Sequence, residues 1–174
     1  MNDEELFQTI ASTALLRGEF TLRSGRKSRY YLDKYLFEGN PLILRALGER
    51  FAHHVSPSTT RIAGAELGGV ALAAAASMAT GIPFVIVRNA KKGHGTQKMF
   101  EGKLEGGDRV LLVEDVATTG GQVLEAARTL TEAGASVEKI VAVIDRQEGA
   151  REKIEDAGFV FNALMTKTDL GITE

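Results

Sequence analysis

Val110-Leu-Leu-Val-Glu-Asp-Val-Ala-Thr-Thr-Gly-Gly-Gln122 reads as an apolar strand, two acids at its end, then hydroxyls and glycines that open a helix. A helix N-terminus presents unpaired N–H groups and partial positive charge, and glycines let a phosphate come close to the backbone. Thr118, Thr119, Gly120, Gly121 and Gln122 are therefore a candidate phosphate cradle. Glu114 and Asp115 beside it do not bind phosphate directly. Carboxylates do accept hydrogen bonds from vicinal sugar hydroxyls and hold magnesium through water. Acids followed by a cradle suit a ribose 5-phosphate. The alternative reading is an ordinary strand-to-helix turn with solvated acids and a threonine cap. The stretch matches neither GxxxxGK[ST] nor GxGxxG, which disfavours ATP and dinucleotides.

Outward from this stretch, short apolar runs recur at 61–65, 84–87, 110–113, 140–144 and 159–164, separated by helical stretches at 122–132 and 149–156. The alanine-rich run 70–79 is too short to span a membrane and reads as a buried helix. Strands alternating with helices predict an α/β fold with a central parallel sheet flanked by helices. Ligands then gather where the strands end. Arg146 follows the run 140–144 and should share that edge with Asp115, although by pattern alone it is a surface salt-bridge residue. Residues 88–108 break the rhythm, with five lysines and arginines and five glycines. On its own that segment reads as a solvated charged loop.

Upstream, residues 2–16 show the spacing of a helix with one buried face. Phe20-Thr-Leu and Tyr30-Tyr-Leu flank a polar turn centred on Gly25, which predicts a hairpin. Asn40-Pro41 is an N-cap followed by proline at the first helical position, with Leu44, Leu47, Phe51 and Val55 as the apolar stripe. The expected organisation is a single domain, with residues 1–60 as helix, hairpin and second helix and 61–174 as the α/β core.

At 174 residues and 44% hydrophobic, the chain can build one core, and a net charge of -2 gives no overall pull toward nucleic acid or an anionic membrane. Any anion site must be local. Cysteine is absent, which removes disulfides, zinc ribbons and thiol catalysis and suits a reducing compartment. MNDEELFQTI lacks the basic and apolar pattern of a secretory signal, so a cytoplasmic location is expected. His53 and His54 receive no role.

The strand, two acids and Thr/Gly-rich loop resemble the type I phosphoribosyltransferases. Four further stretches resemble, in order, the hairpin, glycine turn, mobile loop and base-site arginine of the orotate-specific members. They are Phe20-Thr-Leu-Arg-Ser-Gly-Arg-Lys-Ser-Arg-Tyr-Tyr-Leu32, Gly64-Ala-Glu-Leu-Gly-Gly-Val-Ala-Leu-Ala73, Val87-Arg-Asn-Ala-Lys-Lys-Gly-His-Gly95 and Asp145-Arg146. The resemblance implies an N-terminal hood and transfer of phosphoribosyl from its pyrophosphate to orotate, with Mg²⁺ as cofactor. It assigns the sugar substrate to Arg23, Arg88, Lys92, His94, Glu114, Asp115, Val116, Ala117 and the cradle 118–122. Tyr31, Leu32, Thr118 and Arg146 fall to orotate, and Lys92, His94 and Asp115 to catalysis. By pattern alone Tyr31 is a packing residue.

The resemblance also implies a homodimer in which Arg88, Lys92 and His94 reach the partner's site. Two departures stand out. Asn89 replaces a lysine usual in the mobile loop, with Lys91 as the candidate substitute, and Arg23 stands where many members carry lysine. Leu67-Gly68 also lacks the lysine that some bacterial members place at that turn. The rivals are a purine phosphoribosyltransferase, which has no use for Arg146, and a non-catalytic sensor of phosphoribosyl pyrophosphate. Residues 1–60 show no helix-turn-helix pattern of the kind such sensors add.

Overall fold

A computed structural model describes residues 1–21, 25, 27–89 and 99–173. Helix α1 (Asp3–Ala14) starts at a capping box. Asn2 accepts from the Glu5 backbone at 2.8 Å, and the Glu5 carboxylate accepts from the Asn2 backbone at 2.9 Å. Leu6, Ile10 and Ala14 form its buried stripe. The helix stops short of residue 16 because Leu15 and Leu16 already belong to β1 (Leu15–Thr21), which pairs antiparallel with β2 (Lys27–Leu32) as the expected hairpin.

A short helix α2 (Lys34–Glu38), capped by Asp33, follows. Five residues are too few to show a helical period, and sequence reading passed over them. Helix α3 (Pro41–Ala52) begins as predicted, with the Asn40 side chain accepting from Leu42 and Ile43. Its buried stripe runs through Ile43, Leu47 and Phe51, so Leu44 lies at the margin of the core and not within it.

The remaining elements are β3 (Arg61–Ala65), α4 (Gly69–Thr80), β4 (Phe84–Val87), β5 (Phe100–Glu101), β6 (Arg109–Ala117), α5 (Gly121–Glu132), β7 (Ser136–Asp145), α6 (Ala150–Asp156) and β8 (Phe161–Thr166). They form a sheet in the order β5-β4-β3-β6-β7-β8, parallel except that the two-residue β5 runs antiparallel to β4. Nothing periodic in residues 88–108 announced β5. Successive strand residues serve opposite faces. Leu111, Val113, Val141 and Val143 pack with α1, α3 and α4, whereas Val110, Leu112, Ile140 and Ala142 pack with α5 and α6. The α/β class and the sheet covered on both faces agree with the sequence reading.

One boundary matters for the site. β6 continues past Val113 to Ala117, because its later residues keep pairing with β7, Glu114 opposite Ala142 and Ala117 opposite Asp145. The two acids therefore sit inside a strand, and only residues 118–120 connect it to α5.

Candidate active site

The connection from β6 to α5 turns on Gly120, whose φ of +74° is left-handed backbone that favours glycine. No side chain caps α5, so its first N–H groups meet no side-chain acceptor from the cap residue. A concavity of about 140 Å³ lies there, lined by Glu114 and residues 116–123. Val116, Ala117, Thr118, Thr119, Gly120, Gly121 and Gln122 thus surround one small polar space at a positive helix end.

Glu114 and Asp115 are buried, at 8% and 3% exposure. Burial foremost, and the charge of Asp115 next, hold the Glu114 carboxyl well above its ordinary value. Asp115 meets a partner that sequence reading missed: the Lys34 ammonium lies 2.5 Å from its Oδ2. Burial works to lower the Lys34 pKa, but the hydrogen bond and charge of Asp115 outweigh it and leave it raised. One turn along α2, Glu38 is buried with its Oε1 lacking a hydrogen-bond partner among the described residues. Burial first and Asp115 second push its pKa to about 8. Lys34 and Asp115 are 81 positions apart, so no local pattern could have joined them.

The turn after β3 closes over the same place. Asn89 donates through its backbone N to Glu66 Oε1 at 2.8 Å and through Nδ2 to the Glu66 carbonyl at 2.9 Å. Gln122 donates to Asn89 Oδ1 at 3.3 Å. The residue that replaces a loop lysine therefore ties the glycine turn to the cradle. Arg88 pairs with Glu101 at 3.5 Å and Glu66 at 4.0 Å.

At the end of β7 the Arg146 backbone N donates to the Ala117 carbonyl at 2.9 Å, which sets this residue beside the start of the cradle. Its guanidinium donates to the Tyr30 hydroxyl at 2.9 Å and pairs with Glu148 at 3.0 Å, while its Nε is buried without a partner among the described residues. It lines a pocket of about 540 Å³ together with Tyr30, Ser28, Lys27 and Lys167. Tyr31 is 45% exposed on the other side of β2, its ring 5.7 Å from that of Phe20, and Leu32 packs against the core. Neither lines that pocket. Arg23, Lys91, Lys92 and His94 lie outside the described residues.

Among the described residues no group of three or more His, Cys, Asp or Glu side chains could hold a metal, and no helix is long and apolar enough to cross a membrane. The arrangement places an uncapped helix start, two buried carboxyls and a guanidinium-lined pocket along one sheet edge.

The phosphoribosyl transferase domain family matches residues 39–172. The chain is 47% identical over 169 residues to the orotate phosphoribosyltransferase of Methanocella arvoryzae, covering 97% of each. Among solved structures it resembles Mycobacterium tuberculosis orotate phosphoribosyltransferase in complex with Fe(III) dicitrate, with a TM-score of 0.89, 31% identity and 98% and 99% coverage. The same enzyme in complex with 5-phospho-α-D-ribosyl 1-diphosphate superposes with a TM-score of 0.84 at 29% identity, covering 98% and 99%.

Proposed function

Because the chain belongs to the phosphoribosyl transferase domain family, we propose that it is an orotate phosphoribosyltransferase of pyrimidine nucleotide synthesis. It joins orotate and phosphoribosyl pyrophosphate to give orotidine 5′-monophosphate and pyrophosphate. The observation that carries this reading is the placement of Arg146. Its backbone is hydrogen-bonded to Ala117 at the mouth of the cradle, and its guanidinium faces a pocket with one buried N–H unpartnered among the described residues. A guanidinium grips a planar carboxylate with two hydrogen bonds, and orotate is a pyrimidine that carries one. Glu148 holds the accessible edge of the guanidinium, so an incoming carboxylate displaces Glu148. A purine base carries no carboxylate for this group to grip.

In the reaction the bond from ribose C1 to the pyrophosphate oxygen breaks, and its electron pair leaves with pyrophosphate. The ring nitrogen of orotate, having lost its proton, bonds to C1. Positive charge builds on the sugar and negative charge on the leaving group, as in glycoside chemistry. The cradle 118–122 holds the 5-phosphate, Glu114 and Asp115 orient the sugar hydroxyls, and Thr118 borders the base; the assignment of Tyr31 and Leu32 to the base rests on the sequence, since neither lines the Arg146 pocket. Arg88, Lys92 and His94, with Arg23, are assigned to the departing pyrophosphate, where fixed cations stabilise the transition state more than the ground state. For Lys92, His94 and Arg23 this assignment rests on the sequence.

The donor set fits a magnesium ion carried on the substrate. Glu114 and Asp115 are the carboxyls that would hold such an ion, through water and the substrate. Bound there, Mg²⁺ neutralises charge on the leaving group. We also read the chain as one domain acting as a two-fold dimer. One core cluster runs from Leu6 to Ile172 and so joins the N-terminal elements to the sheet.

The test is product identity. Orotate and phosphoribosyl pyrophosphate, incubated with the protein and Mg²⁺, are expected to give orotidine 5′-monophosphate and pyrophosphate in equal amounts. Pyrophosphate without nucleotide would mean hydrolysis and would contradict the proposal.

A further inference from the structure

Arg146 faces its pocket with a carboxylate of this chain already on it. Glu148 Oε1 lies 3.0 Å from the guanidinium, and with 17% and 25% of the two side chains exposed the pair is mostly covered yet open to the pocket that both line. The backbone between them brings a residue only two positions away back onto Arg146. Gln147 takes a φ of +56°, left-handed backbone that residues other than glycine seldom adopt. Two contacts hold it there. Its N–H donates to Asp145 Oδ1 at 2.8 Å, and its side-chain oxygen accepts from the Thr168 hydroxyl at 2.7 Å. The turn carries a conformational cost and is braced from two segments, a combination that marks functional turns.

Arg146 is positioned without Glu148. Its backbone N–H donates to the Ala117 carbonyl and its guanidinium to the Tyr30 hydroxyl, each at 2.9 Å. Glu148 therefore adds charge where placement is already secured, and it sits on the guanidinium as the carboxylate of the base would. A displaced Glu148 also has a second cation within the pocket. Lys167 lines it, and the Lys167 backbone N–H donates to the Asp145 carbonyl at 2.9 Å, which sets that strand end against the turn 145–148.

We propose that Glu148 is a displaceable counter-ion of Arg146: it yields the guanidinium to the carboxylate of the base and retakes it as the nucleotide leaves, which speeds product release. The inference rests on the phosphoribosyl reading given above. The new bond forms at a ring nitrogen, so the carboxylate is the same before and after transfer. A guanidinium with no rival would grip the product as firmly as the substrate, and binding that is uniform along the reaction does not raise turnover. A competing carboxylate loosens both. A ligand without a carboxylate leaves the Arg146–Glu148 pair closed and gains nothing from its removal.

The experiment measures the affinity and dissociation rate of two probes on the full chain in magnesium buffer. The probes are orotidine 5′-monophosphate and uridine 5′-monophosphate, which differ by the carboxylate alone. Glu148→Gln removes the competing charge and nearly keeps the shape. Its orotidine 5′-monophosphate affinity is expected to rise ~3- to 10-fold, above the scale of a fully exposed ion pair because both partners are mostly covered, and its dissociation to slow by a similar factor. Uridine 5′-monophosphate affinity is expected to stay within about twofold. Glu148→Ala is expected to act in the same direction and serves if Glu148→Gln does not fold. Weaker binding of orotidine 5′-monophosphate would mean that Glu148 holds Arg146 in place, and an equal gain for both probes would mean a general change of the site. Either result, or no change, overturns the proposal. If the unaltered protein does not bind orotidine 5′-monophosphate at all, the phosphoribosyl reading fails and the role of Glu148 falls with it.

Discussion

Arg146 and Tyr30 meet across 116 positions of sequence through a 2.9 Å hydrogen bond from guanidinium to phenol, with the guanidinium carbon 5.4 Å from the centre of the tyrosine ring. The contact fastens the β1–β2 hairpin to the end of β7 and makes the floor of the pocket assigned to the base. The hairpin then contributes to this pocket through Tyr30, whose side chain belongs to the core cluster, and not through its neighbours Tyr31 and Leu32.

Arg146→Ala should raise the KM for orotate by ~10- to 100-fold and leave that for phosphoribosyl pyrophosphate near its original value, because among the substrate contacts it removes only the carboxylate clamp. Tyr30→Phe deletes a single hydrogen bond to that clamp and should have a smaller effect in the same direction. Steady-state kinetics with each substrate varied in turn checks both. Unchanged orotate kinetics in Arg146→Ala would refute the clamp.

Glu38 makes stability depend on pH. Its pKa stands at about 8 in the fold against an ordinary 4.5, chiefly through burial. Between these values the folded chain binds more protons than the unfolded one, so stability falls as pH rises through this window. Glu38→Gln should flatten that fall, by at most about 1.4 kcal/mol per pH unit, and should stabilise the protein most near the upper end. Urea unfolding of both proteins across the window reads the slope. Parallel curves would show that Glu38 is already ionised in the fold.

Gly120→Ala places a Cβ on left-handed backbone, 3.1 Å from Ile154 Cγ1 and 3.2 Å from the Ala150 carbonyl oxygen. The backbone cost alone is about 1–2 kcal/mol. A lower thermal midpoint together with a raised KM for phosphoribosyl pyrophosphate is expected, since the same glycine shapes the cradle. A variant with native stability would show that the turn relaxes.

Much of this site was legible from local pattern. The run 110–122 announces its strand, its acids and the helix it opens, because strand, turn and helix signals are all short-range. Arg146 could be placed because parallel strands end at a common edge. What stayed hidden depends on contacts between distant segments. Lys34 and Glu38 lie on a helix too short for a period, and their meaning comes only from Asp115. The extension of β6 through Glu114 and Asp115 follows from pairing with β7, which a reading of residues 110–122 alone does not contain. Asn89 read as a lost cation, whereas in the fold it ties Glu66 to Gln122.

Subunit exchange tests the shared-site dimer. Lys92→Ala should lower kcat more than it weakens substrate binding, and Asp115→Asn should harm both. Mixed, the two variants should recover about a quarter of native activity, because half the dimers are mixed and each mixed dimer holds one intact site. If the subunits exchange and no activity returns, the loop serves its own chain.

Base selectivity reaches the central claim most directly. Pyrophosphate release from phosphoribosyl pyrophosphate is measured with orotate, uracil, adenine and hypoxanthine in parallel, at equal concentrations and with Mg²⁺ present. The account predicts efficient release with orotate alone, because among these bases orotate brings the carboxylate that Arg146 is placed to hold. Equal or faster release with adenine or hypoxanthine would contradict it.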